Sequence, residues 1–309
     1  MARVAGIDCG TNSIRLLVAD VMPDGGLRDV HREMRVVRLG QGVDATGQLA
    51  PEAIERTRIA LVDYAGVCAR TGVQRVRMVA TSATRDAGNR EEFFGMVREV
   101  LGTDAEVITG DEEARLSFAG AVGELDPAEG PFLVVDLGGG STELVLGDAD
   151  GVQAAYSTNI GCVRLTERCL HTDPPTAGEV ATAEAVVREV LAEGFAAVPV
   201  AKARSWIGVA GTMTTIAAIA HQLLSYDPEA IHLSRTALSR VEQVCGELVG
   251  MSKTERLGLA TMHPGRADVI GGGAIITRVL AQELVARAGI TELVVSEHDI
   301  LDGIALSLA

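Results

Sequence analysis

Aromatic residues are scarce: one Trp, three Tyr and five Phe in 309 residues, 3% of the chain. The hydrophobic fraction is nevertheless 47%, so the interior has to be built from Val, Leu, Ile and Ala. Cysteine is equally sparse. Cys9, Cys68, Cys162, Cys169 and Cys245 form an odd set without a C-x-x-C pair. That excludes a disulfide framework, fits a reduced cytoplasmic protein, and leaves each thiol as a small buried residue. The six histidines carry no ligand spacing, so no zinc site is expected. No apolar run reaches membrane-spanning length, and Met1-Ala-Arg-Val4 leads straight into a strand with no signal peptide. Basic residues are outnumbered, 27 Lys and Arg against 42 Asp and Glu, for a net charge of −15. Such a surface excludes nucleic acid as a partner. Any anionic substrate has to be gripped locally, by loop amides, a few arginines and metal ions.

What the chain does have is glycine in a telling place. Phe132-Leu-Val-Val-Asp136-Leu-Gly138-Gly139-Gly140-Ser141-Thr142-Glu143-Leu-Val-Leu-Gly147 sets three glycines between two short apolar runs. The flanks read as paired strands. The glycines let backbone amides approach an anion. Ser141 and Thr142 can donate to phosphate oxygens, and Asp136 and Glu143 can hold a hard divalent cation. Alone, the segment reads equally well as a phosphate loop or as a glycine-rich hairpin. The pattern occurs twice, however. In Ile7-Asp8-Cys-Gly10-Thr11-Asn12-Ser13-Ile-Arg15, Asp8 matches Asp136, Gly10 matches Gly138, Ser13 matches Ser141, and Arg15 stands where Glu143 stands. Two Asp-x-Gly turns between apolar runs predict an internal duplication.

The length fits two domains, placed at residues 1–124 and 125–309, with Gly123 to Gly130 as the hinge. Strands are predicted at 2–8, 14–21 and 27–38, then a helix from Pro51 to about Arg70 with Ile54, Ile59, Leu61 and Val62 along it. A buried strand at 76–80 ends in Thr81-Ser-Ala-Thr84-Arg85-Asp86. Asn89 reads as the cap of the next helix, while Arg85 is placed either there or to grip phosphate in bidentate fashion. After a strand near 105–108, Gly110-Asp111-Glu112-Glu113-Ala-Arg115 is an acid-rich helix start. The second half reads as a strand at 152–157, a helix at 177–197, a strand at 206–209, helices at 235–249 and 252–260, and a helix from Arg266 whose glycines allow close approach. A last strand at 293–295 and a helix near His298 follow. Ala210-Gly211-Thr212 reads equally as a third anion site or as tight helix–strand packing.

At this point the chain resembles the exopolyphosphatase/guanosine pentaphosphate phosphohydrolase family, a branch of the actin-like ATPase and sugar kinase superfamily. The motifs are Ile7 to Arg15, Thr81 to Asn89, Thr109-Gly-Asp-Glu-Glu113-Ala-Arg-Leu116, Asp136 to Glu143, and Gly208-Val-Ala-Gly-Thr-Met-Thr-Thr215, in the family's order. The resemblance implies an α/β fold of two similar actin-like (ribonuclease H-like) domains with mixed sheets flanking a cleft. It implies hydrolysis of a terminal phosphoanhydride from polyphosphate, with short chains expected, or of guanosine pentaphosphate, and it allows a homodimer. It makes Glu113 the base that activates water, with Arg115 either orienting it or forming only a surface pair, and makes Arg85 a catalytic partner. Asn12, Ser13, Arg15, Gly138, Gly139, Gly140, Ser141, Gly211 and Thr212 would cradle phosphate. Asp136 and Glu143 would hold Mg²⁺ or Mn²⁺. The rivals are an ATPase or small-molecule kinase of the same superfamily, and a non-catalytic alarmone or phosphate sensor. Two departures stand out. The last motif, Asp299-Ile-Leu-Asp302-Gly303, lacks the family's arginine, and the sequence stops at Ala309, as in the short two-domain form.

Overall fold

The apolar runs flanking each Asp-x-Gly turn become antiparallel strand pairs. In the computed structural model, which describes residues 2–309, β1 (Arg3–Cys9) pairs with β2 (Ser13–Val21), and β3 (Leu27–Val36) adds to β2. β4 (Arg75–Ala80) and β5 (Ala105–Val107) then join in parallel, giving the order β3-β2-β1-β4-β5. The second sheet repeats this plan. β6 (Phe132–Leu137), β7 (Thr142–Asp148) and β8 (Gly151–Thr158) form the meander. β9 (Ser205–Val209) and β11 (Glu292–Val295) extend it in parallel, and β10 (Ser234–Ala237) closes the edge. Its order is β10-β11-β9-β6-β7-β8. Read inward from β3 and from β8, the two orders coincide over five strands. The fold is α/β, with two similar units of mixed sheets.

Residues 2–120 together with Asp299–Ala309 form one compact unit, and Ala121–His298 the other. The expected boundary at 124/125 left the C-terminal helix in the second half, whereas that helix completes the first unit. Leu301 and Ala305 of the helix Ile300–Leu306 cluster with Val4, Leu17 and Ala19, and Ile300 and Ile304 with Val79, Ile108 and Leu116. The approach is tight. A Cβ at Gly303 would lie 2.0 Å from the Leu116 carbonyl oxygen, and one at Gly120 would lie 1.8 Å from that of Asp299. Asp299 and Asp302 cap this helix in reciprocal fashion, and both carboxylates also pair with arginines of the first sheet, Arg15 and Arg32.

The other face of the first sheet is covered by the helices Pro51–Thr71 and Arg90–Leu101. In the longer of these, Ala53, Thr57, Ala60, Leu61, Tyr64, Val67 and Cys68 are buried at helical spacing. Ile59 and Val62 instead face solvent. Asn89 does not cap its helix by side chain. Its amide bonds both the N–H and the C=O of Leu49, at 2.8 and 3.0 Å. The second unit buries a large aliphatic core around Trp206, as the shortage of aromatics requires. The helix expected at 235–249 begins at Leu238, because Ser234–Ala237 is an edge strand. Only Thr236 is buried in it, so it shows no apolar alternation to announce itself.

Candidate active site

Each Asp-x-Gly turn is closed by the same backbone hydrogen bond. Gly10 N–H donates to Ser13 O at 3.0 Å, and Gly138 N–H donates to Ser141 O at 3.1 Å. In each pair of strands the aspartate stands directly opposite the residue seven positions on, Asp8 against Arg15 and Asp136 against Glu143. One sheet position thus carries a cation in the first unit and an anion in the second.

In the first unit Arg15 is committed to carboxylates. Its Nη2 lies 2.7 Å from Asp8 Oδ2, and its Nη1 pairs with Asp299. Arg15, expected at phosphate, is held in this structure between two acids. Burial pushes the Asp8 carboxyl above the ordinary range against the pull of Arg15. Burial opposes the charge on Arg15 as well, but Asp299 and Asp8 more than restore it. The other oxygen, Asp8 Oδ1, is buried without a partner among the described residues. Asn12 and Ser13 lie in the turn above this clamp. The Asn12 carbonyl accepts from Val37 and Arg38 at 3.1 and 2.8 Å, and Thr11 Oγ1 is 2.9 Å from Ser82 Oγ. The turn is thereby tied to the segment that carries Arg85.

That segment forms a short helix, Ser82–Asp86. Arg85 Nη1 reaches the Ile108 carbonyl at 3.0 Å and Glu113 Oε2 at 3.3 Å, so the two residues expected to be catalytic meet. Glu113 is only 7% exposed. Its neighbour Glu112 is half-buried and pairs with Arg77 at 2.7 Å. Arg115 makes an exposed pair with Asp111 at 2.9 Å, the surface alternative left open by the sequence. Of the three acids at this helix start, Glu113 alone is buried, and its partner is Arg85.

In the second unit Asp136 and Glu143 face one another across β6 and β7, 6% and 1% exposed. Ser157 Oγ donates to Glu143 Oε1 at 2.7 Å and orients it. Two carboxylates with no nitrogen or sulfur ligand suit a hard cation that fills its remaining positions with water and phosphate oxygens, as Mg²⁺ does. The donor set therefore fits the implied metal. Thr142 is not available to phosphate, because its buried hydroxyl donates to the Ile160 carbonyl at 2.6 Å. Ser141 is buried in the turn. Among the described residues no backbone partner is formed by the Gly139, Gly140 and Ser141 amides.

Gly211 and Thr212 open the helix Ala210–Ala220 after β9, and Ala210 takes a left-handed φ of 69°. The guanidinium of Arg266 lies on Gly211. A Cβ there would be 2.4 Å from Arg266 Cζ, and Arg266 Nη1 donates to Gly211 O at 3.3 Å. From the sequence, Arg266 is expected only as the start of a helix. In fact that helix runs Ile270–Ala288, and Gly272 and Gly273 let it close on Cys162, Thr166 and Thr212. A lone arginine four residues before a glycine-rich helix was the only signal for it.

One further group converges outside the motifs. His298 Nδ1 is 3.1 Å from Glu124 Oε1, and His232 Nε2 is 3.4 Å from Glu124 Oε2. His232 Nδ1 accepts from the Glu297 amide at 3.2 Å. The ring proton of neutral His232 is then on Nε2, where a metal would have to bind. The group is a hydrogen-bonded cluster in this protonation state.

A twice-repeated strand–turn–strand unit, with a carboxylate pair in the second copy and an aspartate–arginine pair in the first, places the chain in a class of α/β proteins built from two similar units. The chain belongs to the Ppx/GppA phosphatase family, which it matches over residues 17–308. It is 62% identical over 317 aligned positions to exopolyphosphatase 2 of Mycobacterium tuberculosis, covering 100% of this chain and 99% of that protein. Among solved structures it resembles an exopolyphosphatase-like protein at 46% identity, with a TM-score of 0.96 and coverage of 100% and 98%. It also resembles the Aquifex aeolicus PPX-GPPA enzyme at 33% identity, with a TM-score of 0.81 and 99% of each chain covered.

Proposed function

We propose that this protein is an exopolyphosphatase that removes terminal phosphate from polyphosphate, with guanosine pentaphosphate as a second substrate. The observation that carries the reading is the contrast between adjacent glutamates: Glu113 is buried and held by Arg85, while Glu112 is spent on Arg77. Glu113 takes the proton from the attacking water as the new P–O bond forms and the terminal P–O–P bond breaks. Arg85 steadies Glu113 and meets the negative charge of the terminal phosphoryl. The Gly139, Gly140 and Ser141 amides and the Ser13 and Asn12 turn bind phosphate oxygens. Asp136 and Glu143 would hold Mg²⁺ or Mn²⁺, which supplies charge neutralisation at the phosphate oxygens when bound. Thr212 and Gly211 hold the next phosphates, with Arg266 beside them. Arg15 enters as the clamp that fixes Asp8.

The five thiols are buried and unpaired, which supports a cytoplasmic location, and no helix is long and apolar enough to cross a membrane. A homodimer is compatible with this reading. The test is phosphate release from tripolyphosphate, long polyphosphate, guanosine pentaphosphate and ATP, with and without chelator. Release from polyphosphate that stops in chelator supports the proposal. ATP as the only substrate consumed, or full release in excess chelator, would refute it.

A further inference from the structure

The amides of a glycine turn bind an anion only if something holds them outward. Three glycines alone leave each peptide plane free to rotate, and the entropy lost on binding would weaken the grip. In this chain the restraint comes from the segment after β8. The helix Cys162–Cys169 directs its first backbone N–H groups at the back of the turn. Cys162 N–H donates to Gly138 O at 3.0 Å, while Val163 N–H and Arg164 N–H donate to Gly139 O at 2.9 and 3.1 Å. These are the donors that a helix leaves unpaired at its N-terminus. The helix end is thus spent on the loop's carbonyls and does not itself face an anion.

The peptide bonds of the turn are trans. In a planar trans peptide the C=O and the N–H point in opposite directions. Pinning Gly138 O and Gly139 O to the helix therefore turns the amides of Gly139 and Gly140 away from it. The same bonds polarise those peptides, because a carbonyl that accepts a hydrogen bond makes its own N–H a better donor. The positive end of the helix dipole adds to this.

Gly161 makes the approach possible. A Cβ on it would lie 2.5 Å from both Gly139 C and O and 2.6 Å from Gly138 O. Two buried threonines brace the junction: Thr142 Oγ1 donates to Ile160 O at 2.6 Å, and Thr158 Oγ1 donates to Thr142 O at 2.9 Å.

We propose that Gly161 and the first turn of the helix Cys162–Cys169 are positioning elements that aim and polarise the Gly139 and Gly140 amides for phosphate. The proposal rests on the reading of Gly138–Ser141 as a phosphate loop.

The experiment uses ¹⁵N-glycine-labelled full-length protein carrying Glu113→Gln, so that tripolyphosphate binds without turnover, and it follows the Gly139 and Gly140 amide signals. Both are expected to shift on addition of tripolyphosphate, and to lose that response when Gly161→Ala is added. In otherwise native protein, Gly161→Ala should lower kcat/KM for tripolyphosphate by about tenfold or more. The Mg²⁺ concentration for half activation should stay unchanged, since Asp136 and Glu143 lie on the strands. Thr158→Val, which keeps the volume, should lower kcat/KM severalfold and decides the matter if Gly161→Ala does not fold. Amide signals that ignore tripolyphosphate would overturn the proposal, as would a folded Gly161→Ala, or failing that Thr158→Val, within about twofold of native kcat/KM. If the amides respond but native protein releases no phosphate, the polyphosphate reading falls and the positioning role stands.

Discussion

Two neighbouring glutamates with the same chemistry separate cleanly by environment. Glu113 is buried beside Arg85, whereas Glu112 is half-buried and paired with Arg77. Glu113→Gln keeps the shape and removes the proposed base, so kcat should fall by about 10²–10⁴-fold with KM little changed. Glu112→Gln should leave kcat within about twofold, because Glu112 pairs with Arg77 and not with Arg85. Steady-state kinetics on tripolyphosphate decides the assignment, and the reverse result would move the base to Glu112. Arg15 carries a prediction about stability. Arg15→Met leaves Asp8 and Asp299 facing each other without their cation. Breaking a buried pair from one side costs roughly 3–5 kcal/mol. The folded Asp8 carboxyl already titrates above its ordinary range because it is buried, so it binds its proton more readily folded than unfolded. Protonation therefore favours the folded variant as pH falls, and charging penalises it as pH rises through the carboxylate range. Urea unfolding should show a large deficit at pH 7 that shrinks toward about pH 4. A deficit that is constant or grows on acidification would contradict this account.

Elements that a local period carries are legible in the sequence, and those that a distant partner decides are not. The strand pairs around both Asp-x-Gly turns and the helix at 177–197 follow from runs of apolar residues and caps, and they stand where expected. Asn89 looked like a cap because Asn often is one; its actual partner, Leu49, is 40 residues away. The partner of Arg15 is equally remote in sequence: Asp299, which engages it, lies 284 residues away. Arg266 was missed for the same reason, since Gly211 is its nearest polar partner only in three dimensions. The helix Ile300–Leu306 brings the sharpest test at this scale. Gly303→Ala would push a methyl group to 2.0 Å from a backbone oxygen, and backbone cannot yield cheaply. The cost is expected at about 1–3 kcal/mol or more, read as a lower urea midpoint. An unchanged midpoint would mean that the helix docks less closely than described.

For the molecule as a whole, the net charge of −15 sets the terms on which a polyanion arrives. On the proposed function, phosphates held by the turns meet amides, arginine and metal. Phosphates beyond them meet a repulsive field screened over about 8–10 Å at physiological salt. Binding energy should stop growing once the gripped phosphates are in place, so kcat/KM per chain end is expected to be higher for short polyphosphates than for long ones. Release should be one phosphate per encounter. Raising salt from low values should help long chains more than short ones, because it weakens the repulsion first. Products resolved on gels, with chains counted by their ends, test this. Fully degraded long chains beside untouched ones would overturn it.

The return of residues 299–309 to the first unit also imposes an order of events during synthesis. The second unit is one continuous stretch, Ala121–His298, so every residue it needs has been joined to the chain before the first unit's last helix is made. Until then Val4, Leu17, Val79 and Leu116 lack the side chains of Ile300, Leu301 and Ile304 that cover them. The half of the protein that is translated first is thus the half that finishes last, and it waits with an apolar sheet face open for as long as the other half takes to be made.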